Sequence, residues 1–291
     1  MTSAGGVGGR ACRAMIVLLA VALLVPAGAR ADAAGDGRYL RLEHAERFYA
    51  LMAPLAQMQG PIIEVADRRE LPALAARGTK AAAQIYAPAP AMAAMRAALG
   101  QVMGDVPPEL GAIADRMAAA EHDILDHPLA ELQAREPRLR AHYEARSDRA
   151  TIDSVSNAMA ATELASEVAV TGLRVKAIYE AVLTGDRDEL RTMTPEQIDA
   201  GVHAMLDGAR APDPGQSGMP FRKDFARDQQ RMFKRSVLSQ LSPMDVAILA
   251  RFYDSATGQA KRAALLASFR RLNDDAGDRL IMAFMRPLLV R

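Results

Sequence analysis

Apolar residues recur at helical spacing along most of the chain. From Tyr39 to the residue before Gly60, apolar side chains three and four positions apart predict an amphipathic helix, and the last such segment covers roughly 276–290. Alternating β-branched runs, which are typical of strands, are almost missing. Alanine, leucine and methionine supply the apolar residues, while aromatic residues make up only 4% of the chain. The sequence therefore predicts an all-α fold, a multi-helix bundle of short amphipathic helices with helical hairpins.

The longest predicted helix covers 149–183. It is weakly charged, so we expect it to be the central buried element of the bundle. Residues 33–37 are small and are expected to form a tether. Pro88 and Pro90 are expected to break the chain, and Pro137 predicts a kink or a break. Further helical segments are predicted over 62–85, interrupted near Pro72, and over 92–103 and 109–126.

Residues 241–269 carry the best-specified local structure, a tight helical hairpin. Ser242 suits the N-cap of the first helix, a proline follows it, and Asp245 stands where a capping-box partner belongs. Ser255 can cap the second helix. Phe252 lies on the apolar face just before the corner, so we expect it to be buried between the two helices.

The same hairpin contains the motif Phe252-Tyr253-x-Ser255-x-x-Gly258-x-x-Lys261. With its capped helix and early acidic residue, it resembles the C-terminal helical unit of exported bacterial proteins classed as domain of unknown function 2059. The resemblance covers at most residues 221–273. That family commonly has proline after the serine, where this chain has Ala256. The resemblance implies an all-helical periplasmic protein of unknown activity, and it supplies no catalytic residues.

The first 31 residues have the pattern of a cleavable signal peptide. Arg10 and Arg13 precede eleven apolar residues, 15–25, which are too few to span a bilayer, and a small-x-small site ends at Ala31. We therefore expect export to the periplasm of a Gram-negative bacterium, with secretion as the second choice, and no membrane-spanning segment after cleavage. Cleavage would also remove Cys12, the only cysteine, which excludes a disulfide and a catalytic thiol.

Charge and loop composition suggest the class and organisation of the remaining chain. Without the arginines of the signal peptide, 33 basic residues face 35 acidic ones, a net charge of −2. This balance disfavours nucleic-acid binding, which depends on many phosphate contacts. A helical N-terminal part is predicted over 32–206, a proline- and glycine-rich loop over 207–220, and a helical C-terminal part over 221–291. We expect the two parts to pack as one body.

Three groups of side chains suggest possible chemistry. His122 and Asp126 lie one helical turn apart and His127 follows, as metal ligands would, although a solvated helix end explains them as well. The methionine pairs Met92/Met95 and Met282/Met285 could bind Cu(I), but they occupy core-like positions. A basic helical face within 221–235 could meet anionic lipid or remain solvated.

From these patterns we expect a non-enzymatic binding or interaction module of the cell envelope. Its partner would be an unidentified protein or a small apolar ligand, and no cofactor, metal or catalytic residue is assigned. Two alternatives remain open. One is a metal-dependent hydrolase using His122, Asp126 and His127, and the other is a carrier of an apolar ligand between helices.

Overall fold

The computed structural model describes residues 33–58, 71–125, 129–184 and 223–289, together with 192–194, 197, 200–201 and 204. The predicted signal peptide and the predicted loop 207–220 lie outside the described residues. Throughout the described part the chain is helical and forms no strands, which confirms the all-α prediction. The helices are α1 Ala33–Leu42, α2 Ala45–Ala50, α3 Met52–Met58, α4 Leu71–Ile85, α5 Pro88–Leu99, α6 Glu109–Leu125, α7 Leu129–Glu144, α8 Arg149–Ala158, α9 Ala161–Thr184, α10 Lys223–Ser239, α11 Pro243–Asp254 and α12 Ala256–Leu289.

The prediction of a single helix from Tyr39 onward is wrong, because the helix begins earlier and is interrupted. Helix α1 begins at Ala33, so the expected tether is helical, and its Asp36 is buried. The chain then turns at Glu43 and His44 before α2 begins. His44 has left-handed backbone angles, φ 52° and ψ 33°, a conformation that histidine adopts more readily than most residues. The turn directs Glu43 and His44 toward different buried partners, which periodicity along the chain does not reveal.

The long helix predicted over 149–183 is also two helices. Met159 is extended, with φ −60° and ψ 137°, and it ends α8 before α9 begins. The first backbone N–H of α9, at Ala161, donates to the buried carboxylate of Glu43 at 2.8 Å. Because helix N-termini leave N–H groups unpaired, this carboxylate stabilises a helix start inside the core. Helix α9 does lie at the centre, where it contacts α2, α3, α10 and α12.

At the C-terminal end, two segments that were expected to be separate helices form one. They are the second helix of the hairpin 241–269 and the segment 276–290. Helix α12 runs without a break through Asn273 and Gly277. Asn273 is fully buried and bonds to α9, accepting from the Thr171 hydroxyl at 2.7 Å and donating to the Glu167 carbonyl at 3.2 Å. A Cβ at Gly277 would overlap the buried guanidinium of Arg174. The presence of Asn273 and Gly277, two poor helix formers, inside α12 is therefore explained by their packing against polar groups of α9.

The prediction that Pro88 and Pro90 break the chain is wrong, and of the two outcomes predicted at Pro137 the break does not occur. Pro88 starts α5 after an extended Ala87, as its fixed φ and missing N–H allow in a first turn. Pro90 lies in that same first turn, so neither proline breaks the chain. Helix α7 continues through Pro137, which excludes a break there.

The prediction for α6 is confirmed to within one residue of its end.

The hairpin of α11 and α12 forms as its caps predict. The Ser242 hydroxyl accepts from the Asp245 backbone N–H at 3.1 Å, and the Ser255 hydroxyl accepts from Gly258 N–H at 3.0 Å. The Asp245 carboxylate accepts two hydrogen bonds from Arg116 of α6, at 2.7 and 3.1 Å.

One apolar cluster extends from Tyr39 to Ile281, so α10–α12 share a core with the helices before them. Within the described residues, no helix is both long and apolar enough to cross a membrane.

Candidate functional site

Every residue of the Phe-Tyr-x-Ser-x-x-Gly-x-x-Lys motif has a structural partner. Phe252 is 4% exposed, as expected, but its ring packs on Tyr39 of α1, with centroids 5.7 Å apart. Gly258 lies so close to the Phe252 carbonyl that a Cβ would overlap it. The motif therefore specifies how the hairpin attaches to the bundle rather than a ligand site.

Tyr253 and Lys261 of the motif join α11 and α12 to the start of the chain. The Tyr253 hydroxyl donates to Glu43 at 2.6 Å, and burial together with this carboxylate raises the pKa of Tyr253 well above its usual value. The Lys261 ammonium donates to Asp36 at 2.6 Å and to the Leu99 carbonyl at 3.1 Å. All of these side chains are almost completely buried, so they do not meet solvent or a ligand.

The predicted metal group is only partly within the described residues. Asp126 and His127 lie outside them, and His122 is exposed near the end of α6. Among the described residues, no group of three or more histidine, cysteine, aspartate or glutamate side chains is placed to hold a metal ion. His122 instead lies beside His44, Arg47 and Glu121, around a shallow depression of about 340 Å³.

The two methionine pairs differ in position. Met92 and Met95 are buried in the core, as the packing alternative predicts, whereas Met282 is 40% exposed. The side chain of Met285 lies outside the described residues.

The basic face of α10 is largely neutralised. Arg227 pairs with Glu163 at 2.9 Å, and Arg231 lies 3.3 Å from Asp228. Arg235 lies 2.8 Å from Asp153 of α8, and Lys234 is fully buried. The described cations of this face are therefore paired with carboxylates of the protein itself. This favours a face that does not bind an anionic membrane. Phe225 of the same helix is 56% exposed.

A mainly apolar groove lies between α6, α7 and α10. Its volume is about 770 Å³, within the range of roughly 300–1,000 Å³ that is typical of small-molecule sites. Met232 is 49% exposed and Leu125 40% exposed, and both line the groove, so two large apolar side chains are accessible within one concavity. We call it the α6–α7–α10 groove, and its apolar lining consists of Ile124, Leu125, Leu139, Tyr143, Met232 and Phe233.

One end of this groove adjoins a second, charged pocket of about 180 Å³, because Leu125 and Phe233 line both. We call it the Glu121 pocket. Lys234 donates to Glu121 Oε1 at 2.5 Å, and Arg47 donates to Oε2 at 3.3 Å. Its remaining lining residues are His44, Phe48, Leu51 and Gln230.

The charges of the Glu121 pocket are unequal in environment. Lys234 is fully buried, whereas the side chain of Arg47 is 51% exposed. His44 Nε2 lies 3.1 Å from Glu121 Oε1 but has no aligned hydrogen-bond partner. Burial would raise the pKa of Glu121, but His44 and Lys234 outweigh burial and lower that pKa to about 2. Glu121 is therefore ionised at neutral pH. Burial lowers the pKa of Lys234, and the Glu121 carboxylate opposes this effect, while Arg47 supplies a half-exposed second cation.

Sequence reasoning did not find the Glu121 pocket. In the sequence, Glu121 directly precedes His122, and Lys234 lies within the basic face of 221–235. These two residues pair with each other although they are 113 residues apart in the chain. The sequence does carry one signal for this pocket. Lys234 directly follows the apolar Phe233 in a helical segment, and a lysine that is buried there requires a partner.

Comparison of the chain with protein-family models, curated proteins and solved structures finds no match. The resemblance of residues 221–273 to domain of unknown function 2059 therefore stays a prediction from the motif. The groove and the Glu121 pocket are the features of the described residues that bear on function.

Proposed function

We propose that the protein is an exported, non-enzymatic binding module of the cell envelope that holds a small apolar ligand in the α6–α7–α10 groove. The observation that carries the proposal is the groove itself, with large apolar side chains left accessible between three helices. Burial of such side chains by a ligand is favourable by about 25 cal/mol per Å² of apolar surface. The wide exposure of Met232 and Leu125 thus leaves binding energy that the fold does not use.

Export is the second half of the proposal, and it is supported by the first 31 residues of the sequence. N-terminal sequencing of the protein recovered from the periplasm should begin at residue 32, directly after Ala31. A start at Met1 would contradict export through this segment.

Ligand binding can be tested with Nile red, a neutral dye whose emission rises in apolar surroundings. The chain has no tryptophan, so intrinsic indole fluorescence does not interfere. We expect the mature protein to bind the dye and Met232→Glu to abolish most of the signal, because it places a charge in the groove. Met244→Glu is the matched control, since Met244 is 74% exposed and lies outside the groove lining.

Mass spectrometry of lipid extracts from protein purified without detergent would then identify the natural occupant. An apolar molecule retained by the wild type and lost from Met232→Glu would support the proposal. Failure of the mature protein to bind Nile red, or equal effects of the two glutamate substitutions, would contradict it. No described feature favours the metal-dependent hydrolase over this function.

A further inference from the structure

We infer that the ligand of the α6–α7–α10 groove is a single-chain carboxylic acid whose anionic head lies in the Glu121 pocket beside Arg47. This inference rests on the proposed function, because the apolar chain must first occupy the groove. It adds the chemical class of the ligand and its direction of binding.

The first argument is continuity between an apolar space and a polar one. Leu125 and Phe233 form part of both walls, so a chain lying on them leads directly from the groove to the charged side chains. The Glu121 pocket, at about 180 Å³, is small compared with the groove of about 770 Å³. These proportions suit a compact head group on a longer apolar body.

The second argument is charge. The ammonium of Lys234 and the guanidinium of Arg47 share the single carboxylate of Glu121. One positive charge is therefore uncompensated among the groups lining this pocket, even with His44 neutral. His122, on the outer side, adds no negative charge.

The third argument is that one accessible donor remains at this end. The side chain of Lys234 is fully buried against Glu121, so it contributes charge and no donor that is open to solvent. Arg47 makes one long bond at 3.3 Å and keeps half its side chain exposed, so its guanidinium is accessible to a second carboxylate.

The groove itself lacks this excess of positive charge. Its charged lining residues are Glu136, Arg140, Glu144 and Arg235, two of each sign. Arg140 pairs with Glu136 at 2.7 Å, and Arg235 lies 2.8 Å from Asp153. A carboxylate head is therefore attracted toward Arg47 rather than toward the groove, which determines the orientation of the ligand.

The test compares palmitic acid with hexadecanol, which has the same chain length and no charge, as competitors of bound Nile red. At neutral pH we expect palmitate to displace the dye at a concentration at least about tenfold lower, since a charge-assisted hydrogen bond contributes more than a neutral one. Arg47→Met should weaken palmitate about tenfold or more and leave hexadecanol unchanged. Arg47 is half exposed, so this variant should fold, whereas Lys234 variants would leave Glu121 buried without its cation.

Arg251→Met is the matched control, because Arg251 is exposed on α11 and lines neither pocket. Equal displacement by the acid and the alcohol, or equal effects of the Arg47 and Arg251 variants, would overturn this inference. In that outcome, Nile red binding that remains sensitive to Met232→Glu would still support the proposed function. Absence of dye binding by the wild type would instead remove both.

Discussion

Replacing Lys261 with methionine tests whether the hairpin is attached to the bundle through the buried ion pair. The ammonium lies 2.6 Å from Asp36, and both side chains are at most 3% exposed. It also donates to the Leu99 carbonyl at the C-terminus of α5, where a cation is favoured by the helix dipole. Lys261→Met would leave a carboxylate without a cation and a carbonyl without this donor.

The expected cost follows from that geometry. Breaking a buried ion pair by removing one partner typically destabilises a protein by about 3–5 kcal/mol, because the remaining charge is buried and unpaired. Replacing both partners with apolar residues removes this penalty and is often neutral. The double variant Asp36→Leu, Lys261→Met should therefore be more stable than Lys261→Met alone, although it carries one substitution more.

Urea unfolding followed by circular dichroism at neutral pH measures these differences. With a denaturant dependence of about 3 kcal/mol per molar urea, the loss should lower the unfolding midpoint by about 1 M or more. Lys80→Met is the matched control, because Lys80 is exposed on α4. If Lys261→Met were no more destabilising than Lys80→Met, or the double variant less stable than the single one, the buried pair could not be the attachment described.

Three further predictions follow from the same packing. Phe252→Ala should cost about 3–5 kcal/mol and Ser255→Ala, which removes a cap, about 1 kcal/mol, and equal costs in denaturant melts would contradict the buried position of the ring. Gly258→Ala should lower the thermal midpoint because its Cβ meets a backbone carbonyl, whereas Gly37→Ala, with open space around the Cβ, should be neutral or stabilising by up to about 1 kcal/mol. The pKa of Glu121 is lowered to about 2, so its ionised form contributes stability above its unfolded value of 4.5 that is lost as the pH falls toward 2. Urea melts between pH 6 and pH 3 should therefore show a smaller loss for Glu121→Gln than for wild type, and parallel losses would refute the shift.

Local chemistry along the chain determined the all-helical class and the hairpin. Ser242 and Ser255 cap their helices through hydrogen bonds three residues away, and α6 begins at Glu109 as its spacing predicts. Such interactions involve neighbours in the sequence, so periodicity and capping residues are enough to locate them. The burial of Phe252 follows in the same way from its place on an apolar helical face.

Tertiary structure alone decided where helices are interrupted and where charges meet. Glu43 ends one helix and caps another 118 residues later, and Lys261 reaches Asp36 across 225 residues. The Glu121 pocket combines side chains from α2, α6 and α10 in the same way. A buried charge requires a partner wherever the fold can bring one, and this requirement outweighs the weak local preference for continuing a helix. Periodicity along the sequence does not identify a partner that is distant in the chain. The residues of the Glu121 pocket are therefore brought together only by the packing of the helices.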